Sequence, residues 1–116
     1  IDVNGLHELN NRLGHRAGDE MLCFVGQLCV QMFPEDRVYR LGGDEFLLII
    51  ERKEQCIVQS TMETLDAKVQ EAGYSIAYGI EFRRNCFDLE SMVNAADSKM
   101  LGAKAEHYKK FDRRRR

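Results

Sequence analysis

An α+β domain with helices packed over a mostly antiparallel sheet is the fold class this sequence predicts, and three observations carry it. The runs Arg37-Val38-Tyr39-Arg40-Leu41 and Phe46-Leu47-Leu48-Ile49-Ile50 flank the polar turn Gly42-Gly43-Asp44-Glu45 and read as a hairpin. Apolar residues recur at helical spacing in three long stretches. Between the second and third of these, Tyr74 to Phe82 alternates large apolar with small or polar residues, a period-two strand. With 116 residues the chain is large enough for one domain with a real core, and too small for two.

In chain order, Ile1-Asp2-Val3 has room only for the end of a strand, from which Asp2 emerges between apolar neighbours. Ile1 is no initiating methionine, so the chain is expected to be cut from a longer protein, with the beginning of this strand missing. Asn4-Gly5 breaks the strand, and Leu6, Leu9 and Leu13 share a helical face in a short segment that Gly14 can end. A longer helix is expected from about Arg16 to Phe33, on Met21, Leu22, Val25, Leu28, Cys29 and Met32, with Asp19 and Glu20 near its positive end. Pro34, the single proline, closes it. The second run of the hairpin is apolar enough for burial on both faces.

After the hairpin, Ile57, Val58, Met62, Leu65 and Val69 predict a helix that ends before Gly73. In the Tyr74 to Phe82 strand, small residues on one face let a helix pack closely. Leu89, Met92, Val93, Ala96, Met100 and Ala103 draw the last helix, and Tyr108 to Arg116 has no clear period.

Composition excludes several classes. A net charge of −2 provides no global basic field for a nucleic acid polymer, which makes a mononucleotide the better candidate ligand. The Arg113 to Arg116 run is the local exception and reads as a solvated tail. Four scattered cysteines, Cys23, Cys29, Cys56 and Cys86, contain no C-x-x-C pair, which argues against a zinc site and against disulfides. Cys23 and Cys29 fall in a helical pattern, where a thiol serves as a small hydrophobe. The expected location is cytoplasmic, either alone or as the cytoplasmic part of a membrane-anchored protein.

Two adjacent carboxylates on a glycine turn between strands contribute little to a core. Asp44 and Glu45 offer hard oxygens to a divalent cation, while Gly42 and Gly43 allow positive φ and close approach of a ligand. Read alone, the same residues serve as the acidic tip of an ordinary hairpin, since turns favour Gly and Asp. The amides of the Asn4-Gly5-Leu6 turn, ahead of a helix, can receive phosphate. Asp19 and Asn10, read alone, serve as a first-turn dipole partner and an ordinary helix residue.

These residues fall into a wider pattern. Gly42-Gly43-Asp44-Glu45-Phe46 resembles the signature of the GGDEF family, the diguanylate cyclases. Asp2-Val3-Asn4-Gly5-Leu6, Leu9-Asn10-Asn11 and Gly14-His15-Arg16-Ala17-Gly18-Asp19 resemble that family's opening segment, and Ala96-Asp97 through Ala103-Lys104 resembles its last helix. The resemblance implies a palm-like sheet related to nucleotidyl cyclases and polymerases, and the condensation of two GTP into cyclic di-GMP by a homodimer. It implies Mg²⁺, or Mn²⁺ in its place, held by Asp2, the Val3 carbonyl, Asp44 and Glu45. Asp44 and Glu45 become the catalytic pair, Asp44 taking the proton of the attacking hydroxyl. Asn10 and Asp19 become guanine ligands, and Gly5, Leu6, Gly42, Gly43 and Lys104 surround the rest of the substrate.

The chain also departs from the pattern. The family's second phosphate-binding cation, four residues after Lys104, is Tyr108 here, with Lys109 or Lys110 as substitutes. Many relatives carry an inhibitory product site, R-x-x-D, before the signature; here Asp36 is present and Phe33 stands in place of the arginine, so that site is not intact. A fused sensor or regulatory domain upstream is expected, and the chain alone is expected to be a weak enzyme or inactive. Two other readings stay open: a non-catalytic GTP-binding regulatory module, and a different nucleotidyl transferase on the same sheet.

Overall fold

Alternation of period-two and period-3.6 patterns yields the α+β architecture. The computed structural model describes residues 1–85 and 88–115, with side chains described through residue 107. Cys86 lies outside the described residues, as do the side chains of Tyr108, Lys109, Lys110 and Arg113 to Arg116. Residues Asp2–Ile76 form one unit, and Ile1 with Ala77–Arg116 forms another.

The first unit begins with β1 (Asp2–Val3), followed by α1 (Leu6–Leu13) and α2 (His15–Met32). Gly5 turns the chain from β1 into α1 with φ of 75°, a left-handed conformation that costs glycine little, and Gly14 makes the next turn at φ 88°. Helix α2 ends where Phe33 donates its amide to the Cys29 carbonyl at 2.9 Å, ahead of Pro34. Then come β2 (Arg37–Arg40), β3 (Phe46–Ile49) and α3 (Gln55–Glu71). The hairpin is antiparallel, with Arg37 opposite Ile49 and Arg40 opposite Phe46. Asn4 N–H donates to the Ser75 carbonyl at 2.9 Å, just ahead of β4 (Ile76–Ala77), within which this unit ends.

Helices α2 and α3 supply most of the buried side chains here. Val25, Cys29, Leu65 and Val69 are wholly buried, and Met21, Leu22, Leu28, Val58 and Met62 nearly so. Truncating one such residue, Leu65→Ala for example, costs about 2–5 kcal/mol. Burial pushes the Cys29 thiol up to about 11. Cys23, assigned with it to the apolar face, is instead exposed, as is Cys56. The helix starts at His15, which puts Asp19 and Glu20 past the first turn, beyond the reach of its dipole. Leu13 is exposed while Leu6 and Leu9 are half-buried, because Leu13 ends its helix. In β3 only Phe46 is buried; Leu47 to Ile49 are half-buried, so this strand is not enclosed on both faces as its composition suggested.

In the other unit, α4 (Leu89–Arg115) runs past the last apolar repeat. Ala, Lys, Glu and Arg in its later turns favour helix without needing a buried face. The expected strand from Tyr74 to Phe82 is a strand only at Ile76–Ala77. Beyond it, a Cβ at Gly79 would collide with the Ala96 carbonyl and Met100 amide of α4, and the Ile80 carbonyl accepts from Lys99 Nζ at 3.0 Å. The alternation there records close helix packing rather than a ladder. Glu81 accepts from Lys99 Nζ at 2.9 Å and from Arg83 Nη2 at 3.2 Å, and these two bonds hold its carboxyl below the usual glutamate range.

Candidate nucleotide and metal site

Backbone bonds place the hairpin tip beside the end of β1. Val3 N–H donates to the Asp44 carbonyl at 2.8 Å, and Asp2 pairs with Glu45 in an antiparallel bridge. Leu41 N–H donates to the Glu45 carbonyl at 3.0 Å and closes the turn. The chain thus brings Asp2, Val3, Gly42, Gly43, Asp44 and Glu45 to one place. Asp2 is only 4% exposed, an uncommon burial for an aspartate, while Asp44 and Glu45 are half-buried.

Gly42 and Gly43 do not use positive φ; a Cβ on either would meet nothing within 4 Å. Their part is to leave room above the turn. Its shape is held from Arg40, whose Nε donates to the Gly42 carbonyl at 3.1 Å and whose Nη2 donates to the Gly43 carbonyl at 2.9 Å. Arg40 escaped the sequence reading, although an arginine two residues before Gly-Gly is a signal that could have found it.

The donor set suits a hard divalent ion, since Asp2, Asp44, Glu45 and the Val3 carbonyl offer only oxygen. Among the described residues no three His, Cys, Asp or Glu side chains converge closely enough to hold an ion by themselves. Magnesium is commonly held by one or two carboxylates with waters and substrate phosphates, so the donors fit it on chemistry.

Helix packing brings Asn10 against Gly18, the residue before Asp19. Asn10 Oδ1 fills the space a Cβ at Gly18 would occupy, and Leu6 Cδ1 crowds the same point, so only glycine lets α1 and α2 approach this closely. That oxygen is buried without a hydrogen-bond partner. Asp19 is exposed on an open groove of about 490 Å³, lined also by Leu22, Cys23, Gly26, Gln27, Arg40 and Phe46. One wall is apolar, formed by Leu22 and by the Phe46 ring, whose Cε1 would lie 3.3 Å from a Cβ at Gly26. The groove is therefore lined by apolar side chains together with Asp19 and Arg40.

At the start of α1, with Gly5 as its N-cap, no side chain caps the helix, so its first amides are given no side-chain acceptor there. Asn4 braces this turn: it is 7% exposed, and its Nδ2 donates to Ser75 Oγ at 3.1 Å. Lys104 belongs to the other unit, half-buried on α4. His15 is exposed at the start of α2, and His7 shares a hydrogen bond with Asn11.

At the far end of the hairpin, Phe33 is 1% exposed and Asp36 pairs with Lys53 Nζ. The same ammonium stands 5.5 Å from the centroid of the Phe33 ring.

Comparison with known proteins places this geometry in a family. The family model described as "Diguanylate cyclase, GGDEF domain" matches residues 1–110. Diguanylate cyclase DosC of Shigella sonnei (strain Ss046) is 30% identical over 115 residues, covering 90% of this chain and 25% of that protein. Cyclic di-GMP phosphodiesterase PdeB of Shewanella oneidensis is 29% identical over 119 residues, covering 91% of this chain and 14% of that protein. The chain therefore spans a quarter or less of the length of these two curated relatives. Among solved structures, the active GGEEF domain of a diguanylate cyclase from Vibrio cholerae superposes with a TM-score of 0.77 at 20% identity, covering 90% of this chain and 73% of that one. That likeness shows the α+β fold. With its Gly-Gly-Asp-Glu turn docked on the end of β1 and a family match over nearly its whole length, the chain belongs to the GGDEF family.

Proposed function

We propose that residues 1–116 are a GGDEF domain that acts as a diguanylate cyclase, joining two GTP molecules into cyclic di-GMP. The observation that carries this reading is the 2.8 Å bond from Val3 N–H to the Asp44 carbonyl, which sets three acidic residues and a strand-end carbonyl around one turn. Each 3′-hydroxyl attacks the α-phosphate of the other nucleotide; two phosphodiester bonds form, two α–β anhydride bonds break, and two pyrophosphates leave. Because each half-reaction needs a second nucleotide in opposed orientation, the domain works as a homodimer.

Asp2, the Val3 carbonyl, Asp44 and Glu45 would hold Mg²⁺, or Mn²⁺, which when bound supplies charge neutralisation for the triphosphate. Asp44 would also accept the proton of the attacking hydroxyl. Asp19 accepts from guanine N1-H and the N2 amine, and Asn10 Nδ2 donates to O6, with the ring lying on the apolar wall of the groove. The amides of Gly5 and Leu6 and the ammonium of Lys104 take phosphate oxygens, while the open space over Gly42 and Gly43 admits the substrate. This work is positioning and electrostatics more than covalent chemistry. The domain is read as the cytoplasmic catalytic part of a longer signalling protein with an upstream sensor, which the small share of each relative that it covers supports.

Incubating the chain with GTP or with ATP plus Mg²⁺, and identifying products by mass, tests the proposal. Cyclic di-GMP from GTP alone is the expected result. The match to a protein named as a phosphodiesterase favours one second reading, a GTP-binding regulatory module. GTP binding without product would select it, and a different condensation product would indicate another nucleotidyl transferase.

A further inference from the structure

Resting on the cyclase reading above, we infer that Arg40 is a positioning residue whose guanidinium sets the orientation of the Asp44-Glu45 pair. The tip needs such a device. Gly42 and Gly43 are the residue type with the greatest backbone freedom, neither occupies a left-handed conformation that would define the turn, and no side chain of theirs exists to pack. A Cβ on either would point into open space, so neighbouring atoms do not confine them.

Two bonds fix the ends of this segment, Leu41 N–H to the Glu45 carbonyl at 3.0 Å and Val3 N–H to the Asp44 carbonyl at 2.8 Å. Between them, the peptides of Gly42 and Gly43 are each held by one donor of the same guanidinium, at 3.1 and 2.9 Å. A peptide is planar, so fixing the Gly43 carbonyl also fixes the Asp44 amide and the direction in which Asp44 leaves the turn. A guanidinium presents its donors in one rigid plane, which locks the two successive peptides relative to one another; an ammonium lacks that geometry. Arg40 itself starts from a defined place. It stands directly opposite Phe46 across the hairpin, on the face of the groove that Asp19 also lines.

The experiment compares Arg40→Ala and Arg40→Lys with the unaltered chain, reading kcat and KM for GTP with Mg²⁺ and, separately, amide hydrogen exchange without nucleotide. Expected for Arg40→Ala is a fall in kcat of about a hundredfold with KM for GTP changed by less than about threefold, since the carboxylates remain but are misaimed. Exchange at the Val3 and Leu41 amides should quicken about tenfold while α2 and α3 amides keep their rates. Arg40→Lys should lie between the two in both readouts, and it answers the question if the alanine variant does not fold. Unchanged exchange at Val3 and Leu41 overturns the inference. So does a rise in KM that matches the fall in kcat/KM, which would make Arg40 a substrate contact. Exchange reads the clasp without turnover, so a chain that made no cyclic di-GMP would sink the cyclase reading and leave this measurement standing.

Discussion

The two ends of the β2–β3 hairpin are built on opposite principles. At the tip, Gly42 and Gly43 are exposed, and the turn is held by backbone bonds and the Arg40 clasp. Space is left over the carboxylates. At the root, Phe33 is buried, Asp36 is paired with Lys53, and the Lys53 ammonium also lies over the aromatic ring. That end is closed on itself. Both ends are held, the tip by backbone bonds and one guanidinium and the root by an internal ion pair over a buried ring. Acidic residues near a hairpin are thus weak indicators of function until their partners are known.

The largest expected effect comes from breaking the tip. Asp44→Ala or Glu45→Ala should lower cyclic di-GMP formation by about a thousandfold or more, because each removes a charge aimed at the substrate. The melting curve should barely move, since neither side chain belongs to the core. Activity near that of the unaltered chain in either variant would refute the assignment of the pair.

Breaking the root should do the reverse. Asp36→Ala leaves a half-buried ammonium beside an aromatic ring and is expected to destabilise the fold by about 1–3 kcal/mol, with specific activity of the folded fraction retained. Removing both charges in Asp36→Ala with Lys53→Met should cost less than the sum of the single changes, by denaturant titration of all four proteins. Strict additivity would mean that the pair is not coupled.

A smaller effect is expected at the groove, where Asp19→Asn exchanges one acceptor for a donor facing the guanine amines. Preference for GTP over ATP should fall by about ten- to a hundredfold. Gly18→Ala, which drives a methyl into Asn10 Oδ1, should weaken GTP binding through Asn10 without touching Asp19. If both variants kept full discrimination, guanine would have to bind elsewhere.

The hairpin was legible because its two strands differ in composition from the turn, and α2 and α3 because their apolar spacing is regular. At the tip the candidate residues were named through resemblance rather than pattern, and the structure sets Asp2 beside Glu45 in an antiparallel bridge. Other features depend on contacts that no local pattern encodes. Lys53 reaches Asp36 across 17 residues, and Lys99 takes the Ile80 carbonyl across 19, which is why the strand from Tyr74 was read too long. Cys23 follows two buried residues of α2 and falls just off their face, a distinction of one position that spacing resolves poorly. The later turns of α4 were missed for another reason: helix propensity acts there without amphipathic periodicity.

The smallest expected effect, and the sharpest test of the contrast between tip and root, is the response to product. The family resemblance implies an inhibitory product site before the signature, made of an arginine and an aspartate. Here the arginine position holds Phe33, whose ring has no donors and no exposed face, and the carboxylate of Asp36 is 5% exposed with Lys53 already on it. A nucleotide binding there would have to displace an internal ion pair and expose a buried ring, and it would gain no bidentate guanidinium contact in return. Arg37, on β2 and exposed, follows the aspartate and starts from a different direction. Product titrated to about a hundred micromolar should therefore leave the rate unchanged apart from competition at the GTP site, and calorimetry should show no tight second binding event. Micromolar or tighter binding that disappears in Asp36→Ala would mean that the root opens to accept a ligand, and the reading of that end as closed on itself would fail.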